Sequence, residues 1–143
     1  MRALLDINIL IALLDGSHVH HKLATNWLAR NTGAGWASSP ITQNGCIRIM
    51  SQPHYPNPVP AALVAARLAE ATQHPSHQFW ADSVSLLNPD CLVWDKILSS
   101  RHVTDAYLLA LALQQGGCFV TLDRSIPLNA VTGARPKHLV ILS

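Results

Sequence analysis

Residues 104–123 read TDAYLLALALQQGGCFVTLD, and the order of signals within this stretch decides the fold. Leu108, Leu109 and Ala112 fall at i+3, i+4 and i+7 from Asp105, which predicts a helix over 104–115 with one apolar stripe. Gly116-Gly117 ends it. Cys118-Phe119-Val120-Thr121 then reads as a short buried strand that runs into Asp123. A helix passing straight to a buried strand is half of a βαβ unit.

The same grammar recurs along the chain. Residues 2–5 form an apolar strand closed by Asp6. Ile7 to Leu14 is a helix apolar on nearly every side, broken by Asp15-Gly16-Ser17. Val19, Leu23 and Trp27 mark the inward stripe of a helix from about His18 to Arg30, leaving His18, His20 and His21 mostly outward. Trp36-Ala37-Ser38 is a second strand. Ser39-Pro40 supplies a cap and a proline at the first helical position for a helix to Met50. Pro53, Pro56, Pro58 and Pro60 make a surface connection. Ala61 to Thr72 is an alanine-rich helix, Gln78 to Ser83 a short one, and Leu139 to Leu142 a last strand. Leu92 to Ser100 has no clear pattern. Strands separated by helices predict a single α/β domain with a parallel sheet.

Composition narrows the function. At 143 residues, 49% hydrophobic and 13% charged, the chain has enough apolar residues for a real core. A net charge of +2 permits a nucleic-acid partner without demanding one. No apolar run approaches the ~20 residues of a membrane span. Met1-Arg2 leads directly into a strand without a cleavable leader, so the expected location is cytoplasmic. Cys46, Cys91 and Cys118 show no Cys-x-x-Cys spacing and read as buried apolar residues. Trp27, Trp36, Trp80 and Trp94 read as core or interface.

Only eight residues are acidic, yet Asp6, Asp105 and Asp123 each stand where a strand ends or a helix begins. In open parallel sheets ligands bind beyond the carboxyl ends of the strands. Asp105 heads the stripe of its helix that faces the sheet. Singly, each carboxylate also suits a helix N-terminus or a strand-end turn. Together they repel unless a cation joins them, which points to a divalent-metal site. Asn8 and Thr121, each two positions from an acid, are placed to orient those carboxylates.

The strand-Asp-x-Asn opening, residues Arg101 to Ala112, and Gly116 to Arg124 together resemble PIN domains, most closely the VapC toxins of prokaryotic VapBC toxin–antitoxin pairs. The resemblance spans residues 1–143 as a single PIN domain. It implies a three-layer α/β/α fold with a mainly parallel sheet of four to five strands. It also implies an endoribonuclease dependent on Mg²⁺ or Mn²⁺, usually homodimeric and held inactive by a VapB-like antitoxin, reaching DNA only through that antitoxin. On that pattern Asp6, Asp105 and Asp123 carry over as catalytic acids, with Asp6 and Asp105 the expected direct ligands.

One departure stands out. Most of the family has another acid early in the helix after the second strand. Here Ser39 to Arg48 contains none, and the only glutamate, Glu70, lies in the alanine-rich helix. Asn44, or second to it Gln43, is the amide expected in that place, though an amide brings no charge to the ion. Arg48, Arg101 and Arg124 are candidates to hold flanking phosphates, and His102 to touch RNA. An aspartyl-nucleophile phosphatase would want an acid where Asn8 stands, and no Gly-rich phosphate loop is present. The alternative from another class is a PIN-fold binding module, weak in catalysis without the fourth acid, acting through RNA or an antitoxin complex on DNA.

Overall fold

The computed structural model describes residues 1–143 and contains five parallel strands and five α-helices. Strand β1 is Ala3–Leu5, β2 is Trp36–Ser38, β3 is His77–Phe79, β4 is Cys118–Thr121 and β5 is Leu139–Ile141. They lie in the order β3-β2-β1-β4-β5, every neighbouring pair parallel. Helix α1 is Ile7–Leu14, α2 His21–Asn31, α3 Pro40–Met50, α4 Ala61–Thr72 and α5 His102–Gln114.

Alternation along the strands builds two cores, one on each sheet face. Ala3, Leu5, Trp36, Cys118 and Val120 face one way and pack with Ile9, Leu10, Cys46, Met50, Val64 and Leu68 from α1, α3 and α4. Leu4, Ala37 and Phe119 face the other way, against Leu108, Leu109 and Leu111 of α5. The three layers follow from this division: α1 and α3–α4 on one face, α5 on the other. Cys46 and Cys118 are buried apolar residues, and all three cysteines are free thiols. No helix is long and apolar enough to cross a membrane.

The Gly116-Gly117 stop is built as read. Gly116 has φ +70°, and its N–H donates to Leu113 O at 3.0 Å while Gly117 N–H donates to Ala112 O at 2.8 Å. This double closure is a Schellman cap. A Cβ on Gly117 would stand 2.4 Å from the Arg2 carbonyl, so only glycine lets the chain turn this tightly into β4. The Ser39 cap is also present: its hydroxyl accepts from Thr42 N–H, and the Thr42 hydroxyl accepts from Ser39 N–H.

Two expectations are corrected. Residues 78–83 are not helical: His77–Phe79 form the edge strand β3, paired with Trp36–Ser38, and Trp80 N–H continues the ladder to Ser38 O at 2.9 Å. An edge strand has little to bury, so its sequence carries no clear alternation. Helix α2 begins at His21, leaving Val19 85% exposed in the turn before it, while His21 turns its Nδ1 onto Ala12 O at 2.7 Å. Among the tryptophans, Trp36 and Trp80 are core residues, whereas Trp94 is 47% exposed. It sits in a 3₁₀ turn, Trp94–Lys96, within the stretch that showed no pattern.

Candidate active site

Sheet order sets the position of the site. From β1 the chain winds outward through β2 to β3, then returns across the sheet to place β4 against the other side of β1. The reversal leaves a crevice beyond the carboxyl ends of β1 and β4, where α/β sheets bind ligands. Leu5 pairs with Val120, so Asp6 and Thr121 are the next residues on two level strands. Asp6 N–H donates to Val120 O at 2.9 Å, which fixes the crevice at its base.

Asp6 is 5% exposed. One carboxylate oxygen accepts from Ile7 N–H at 2.7 Å, capping α1, and the other accepts from the Thr121 hydroxyl at 2.6 Å. That hydroxyl in turn accepts from Asn8 Nδ2 at 3.3 Å and from Asp123 N–H at 3.0 Å. Asn8 Oδ1 accepts from Leu122 N–H at 3.3 Å, tying α1 to the end of β4 a second time. Thr121 is therefore a fully used junction between Asp6, Asn8 and the Asp123 backbone.

Asp105 lies in the first turn of α5, half-buried. Burial first, and then the charges of Asp6 and Asp123, push its carboxyl up to about 7 against a smaller opposing effect of Arg101. Burial also raises Asp6, partly offset by its bonds from Thr121 and Ile7. Asp123 goes the other way: the Ser125 hydroxyl and N–H, at 2.6 and 2.8 Å, hold it below the usual carboxylate range. The three predicted acids thus share one electrostatic environment, with charge that is costly to keep ionised together. No group of three or more His, Cys, Asp or Glu side chains is gathered closely enough to enclose a metal ion unaided.

The remaining predicted residues divide. His102 Nε2 lies 3.2 Å from the Ser125 hydroxyl, which also accepts from Arg101 at 3.3 Å, so both join the Asp123 side of the site. Arg124 is exposed to solvent. Gln43 is drawn elsewhere: its amide donates to the buried Ser38 hydroxyl at 2.9 Å, which contacts His77 Nε2 at 2.8 Å. Asn44 and Arg48 are exposed on one face of α3 and line a groove that also includes Thr104 and Asp82. Gly45 brings α3 close to α1, since a Cβ there would stand 2.3 Å from Ile7 Cδ1.

Two residues escaped the sequence reading. Ser125 was visible in principle, because Asp-x-Ser forms an Asx turn. Asp82 was hidden by the helix expected over 78–83; it lies in the loop that leaves the carboxyl end of β3. A larger cavity of about 450 Å³, lined by Leu28, Trp36, Arg67 and Glu70 among others, holds none of these residues. Trp36 opens β2, so this cavity lies toward the other end of the strands.

A family model of the PIN domain matches residues 3–131. The chain belongs to the PIN-domain family. Within it the chain falls among the VapC proteins: it is 49% identical to Ribonuclease VapC44 of Mycobacterium tuberculosis, covering 99% of this chain and 100% of that one. Ribonuclease VapC39 of the same species is 40% identical over 93% of this chain and 96% of its own length. The fold agrees. VapBC2 of Rickettsia felis, solved bound to a DNA fragment from its promoter, superposes with TM-score 0.65 at 16% identity over the full length of both chains. VapC20 of Mycobacterium tuberculosis, a toxin that cleaves the sarcin–ricin loop, superposes with TM-score 0.61 at 13% identity, over 94% of this chain and 99% of that one. The expected PIN domain with its α/β/α layers is the fold observed.

Proposed function

We propose that this VapC-family protein is an endoribonuclease dependent on Mg²⁺ or Mn²⁺, the toxin of a type II toxin–antitoxin pair acting in the cytoplasm. The observation that carries the reading is the acid triplet at the crevice, where burial and two neighbouring carboxylates push Asp105 up to about 7. Crowded carboxylates with no cationic side chain bonded to them fit a hard divalent ion, which takes oxygen donors. Asp6 and Asp105 are the proposed direct ligands and Asp123 the supporting acid, with open positions left to solvent and substrate phosphate.

When bound, such an ion supplies Lewis acidity toward the phosphodiester and lowers the pKa of a water toward neutrality. The protein's own residues supply position and proton state. Thr121 and Ile7 N–H fix the orientation of Asp6. Asp105 has to lose its proton to serve as a carboxylate, whereas Asp123 stays ionised against Ser125. Arg48, Arg101 and Arg124 are proposed to hold phosphates flanking the scissile bond, and His102 to touch the RNA. The proposed partners are an RNA substrate, structured RNAs such as tRNA among them, a second copy of the chain and a VapB-like antitoxin. DNA would be reached only through that antitoxin.

The rival reading is a binding module that has lost turnover, and the observation in its favour is the neutral Asn44 on α3. Expression in a bacterial host separates the two. The wild-type chain is expected to arrest growth, and Asp105→Asn to relieve the arrest while keeping the thermal unfolding of the wild type. Arrest of equal depth by both proteins would favour the binding module.

A further inference from the structure

In the scheme above the groove beside the acids contributes only Arg48, and no base-recognising role is given to it. Its volume is about 340 Å³, and Ile7, Ile41, Asn44, Arg48, Asp82 and Thr104 are among the residues lining it. Ile7 follows Asp6 and Thr104 precedes Asp105, so the groove adjoins the two proposed ligands. Its size is at the lower end of small-molecule sites, ~300–1,000 Å³, which suits one nucleotide rather than a length of chain.

Its chemistry is mixed in a particular way. Arg48 is exposed, one helical turn from Asn44 on the same face of α3. By contrast, the Arg2 guanidinium is tied to the Ser76 carbonyl at 2.6 Å. Asp82 is half-buried, and its Oδ2 accepts from Ile41 N–H at 3.2 Å at the start of α3. Its Oδ1 is buried and has no hydrogen-bond partner, the one side-chain oxygen or nitrogen of the chain left in that state. A buried carboxylate oxygen without a donor is costly.

We propose that this groove is a nucleotide subsite next to the scissile phosphate, in which Arg48 holds a phosphate and Asp82 selects guanine. The proposal rests on the ribonuclease reading and names the base that site prefers. An ionised carboxylate only accepts hydrogen bonds. Guanine alone offers two adjacent N–H donors, N1–H and N2–H, along its pairing edge. Adenine and cytosine place an acceptor beside the amine, and uracil flanks its single N–H with two carbonyls. Single-stranded RNA exposes this edge to protein. In this scheme the Asp82 carboxyl turns to present Oδ1 to the groove, while Oδ2 keeps a lone pair beyond its bond from Ile41 N–H. Thr104 and Asn44 offer uncharged partners for the ribose.

The test uses the full chain carrying Asp105→Asn, to prevent cleavage, and fluorescent uridine hexamers with one central G, A, C or U, read by anisotropy. The G oligomer is expected to bind about tenfold more tightly than the other three, within the range of a good base contact. Adding Asp82→Asn keeps an acceptor for Ile41 N–H and is expected to cut the preference to under about twofold. Adding Arg48→Ala is expected to weaken all four oligomers alike and to flatten the salt dependence by about 0.7 of a log unit per log unit of salt. Equal binding of the four oligomers, or a guanine preference that survives Asp82→Asn with the fold intact, overturns the proposal. If Asp82→Asn fails to fold, the wild-type base series and the Arg48→Ala salt slope still decide it. Cleavage of RNA by the wild type together with equal binding would sink the subsite and leave the ribonuclease reading standing. Absence of cleavage would sink both.

Discussion

One hydroxyl carries much of the site's order. Thr121 donates to Asp6 and accepts from Asn8 and from Asp123 N–H, so it fixes the angle of one acid and the backbone of another. Thr121→Val keeps the shape and removes all three contacts. Divalent affinity and cleavage are expected to fall by about 10–100-fold, as for partners that orient metal ligands, and Thr121→Ser should restore most of both. Calorimetric titration with Mn²⁺ measures the first directly. Asp105 adds a pH signature. Its carboxyl is raised to about 7 in the folded, metal-free chain, so its contribution to stability is full at low pH and is lost as pH rises through that value. Ion binding has to displace that proton. Mn²⁺ affinity is therefore expected to rise about tenfold from pH 6 to pH 8, with proton release visible in buffers of different ionisation enthalpy, and Asp105→Asn should remove the pH dependence. The acids themselves were legible because each abuts a strong strand or helix signal. Ser125 was marked only by its Asx-turn spacing from Asp123, and Asp82 by nothing, because the loop after an edge strand rather than a periodic element brings it to the site.

Among the elements, the best-read one is the helix–glycine–strand unit from α5 to β4. The helical spacing, the Gly-Gly stop and the buried strand agree with one another, and each is realised by a specific contact. Gly116→Ala forces a side chain onto φ +70° and is expected to cost about 1 kcal/mol. Gly117→Ala also meets the Arg2 carbonyl and should cost more, about 2–3 kcal/mol. Urea midpoints rank the two, and a milder effect at Gly117 would contradict the packing described for β1 and β4. Strand β3 was illegible for a physical reason. Phe79 is 54% exposed, so the inward–outward alternation that marks a half-buried strand never develops. The start of α2 was misjudged because Val19 sits in a turn, where an apolar side chain has nothing to pack against.

For the whole molecule, the alternation of strands and helices announced a parallel sheet, but not which strands are neighbours. The return from β3 to β4 across the sheet is a long-range pairing with no local sequence mark, and it is what creates the crevice between β1 and β4. The fold thus gathers three aspartates, spread across most of the chain, onto one edge. The proposed function requires these acids to make a metal-dependent ribonuclease although α3 offers only Asn44. Purified chain, freed of any bound partner, is incubated with total cellular RNA in Mg²⁺ or Mn²⁺, and new 5′ ends are mapped across the transcriptome. Cuts are expected at a small set of defined positions, absent in EDTA and absent with Asp105→Asn. No cuts with either ion, or cuts that persist in EDTA and with Asp105→Asn, would contradict that function.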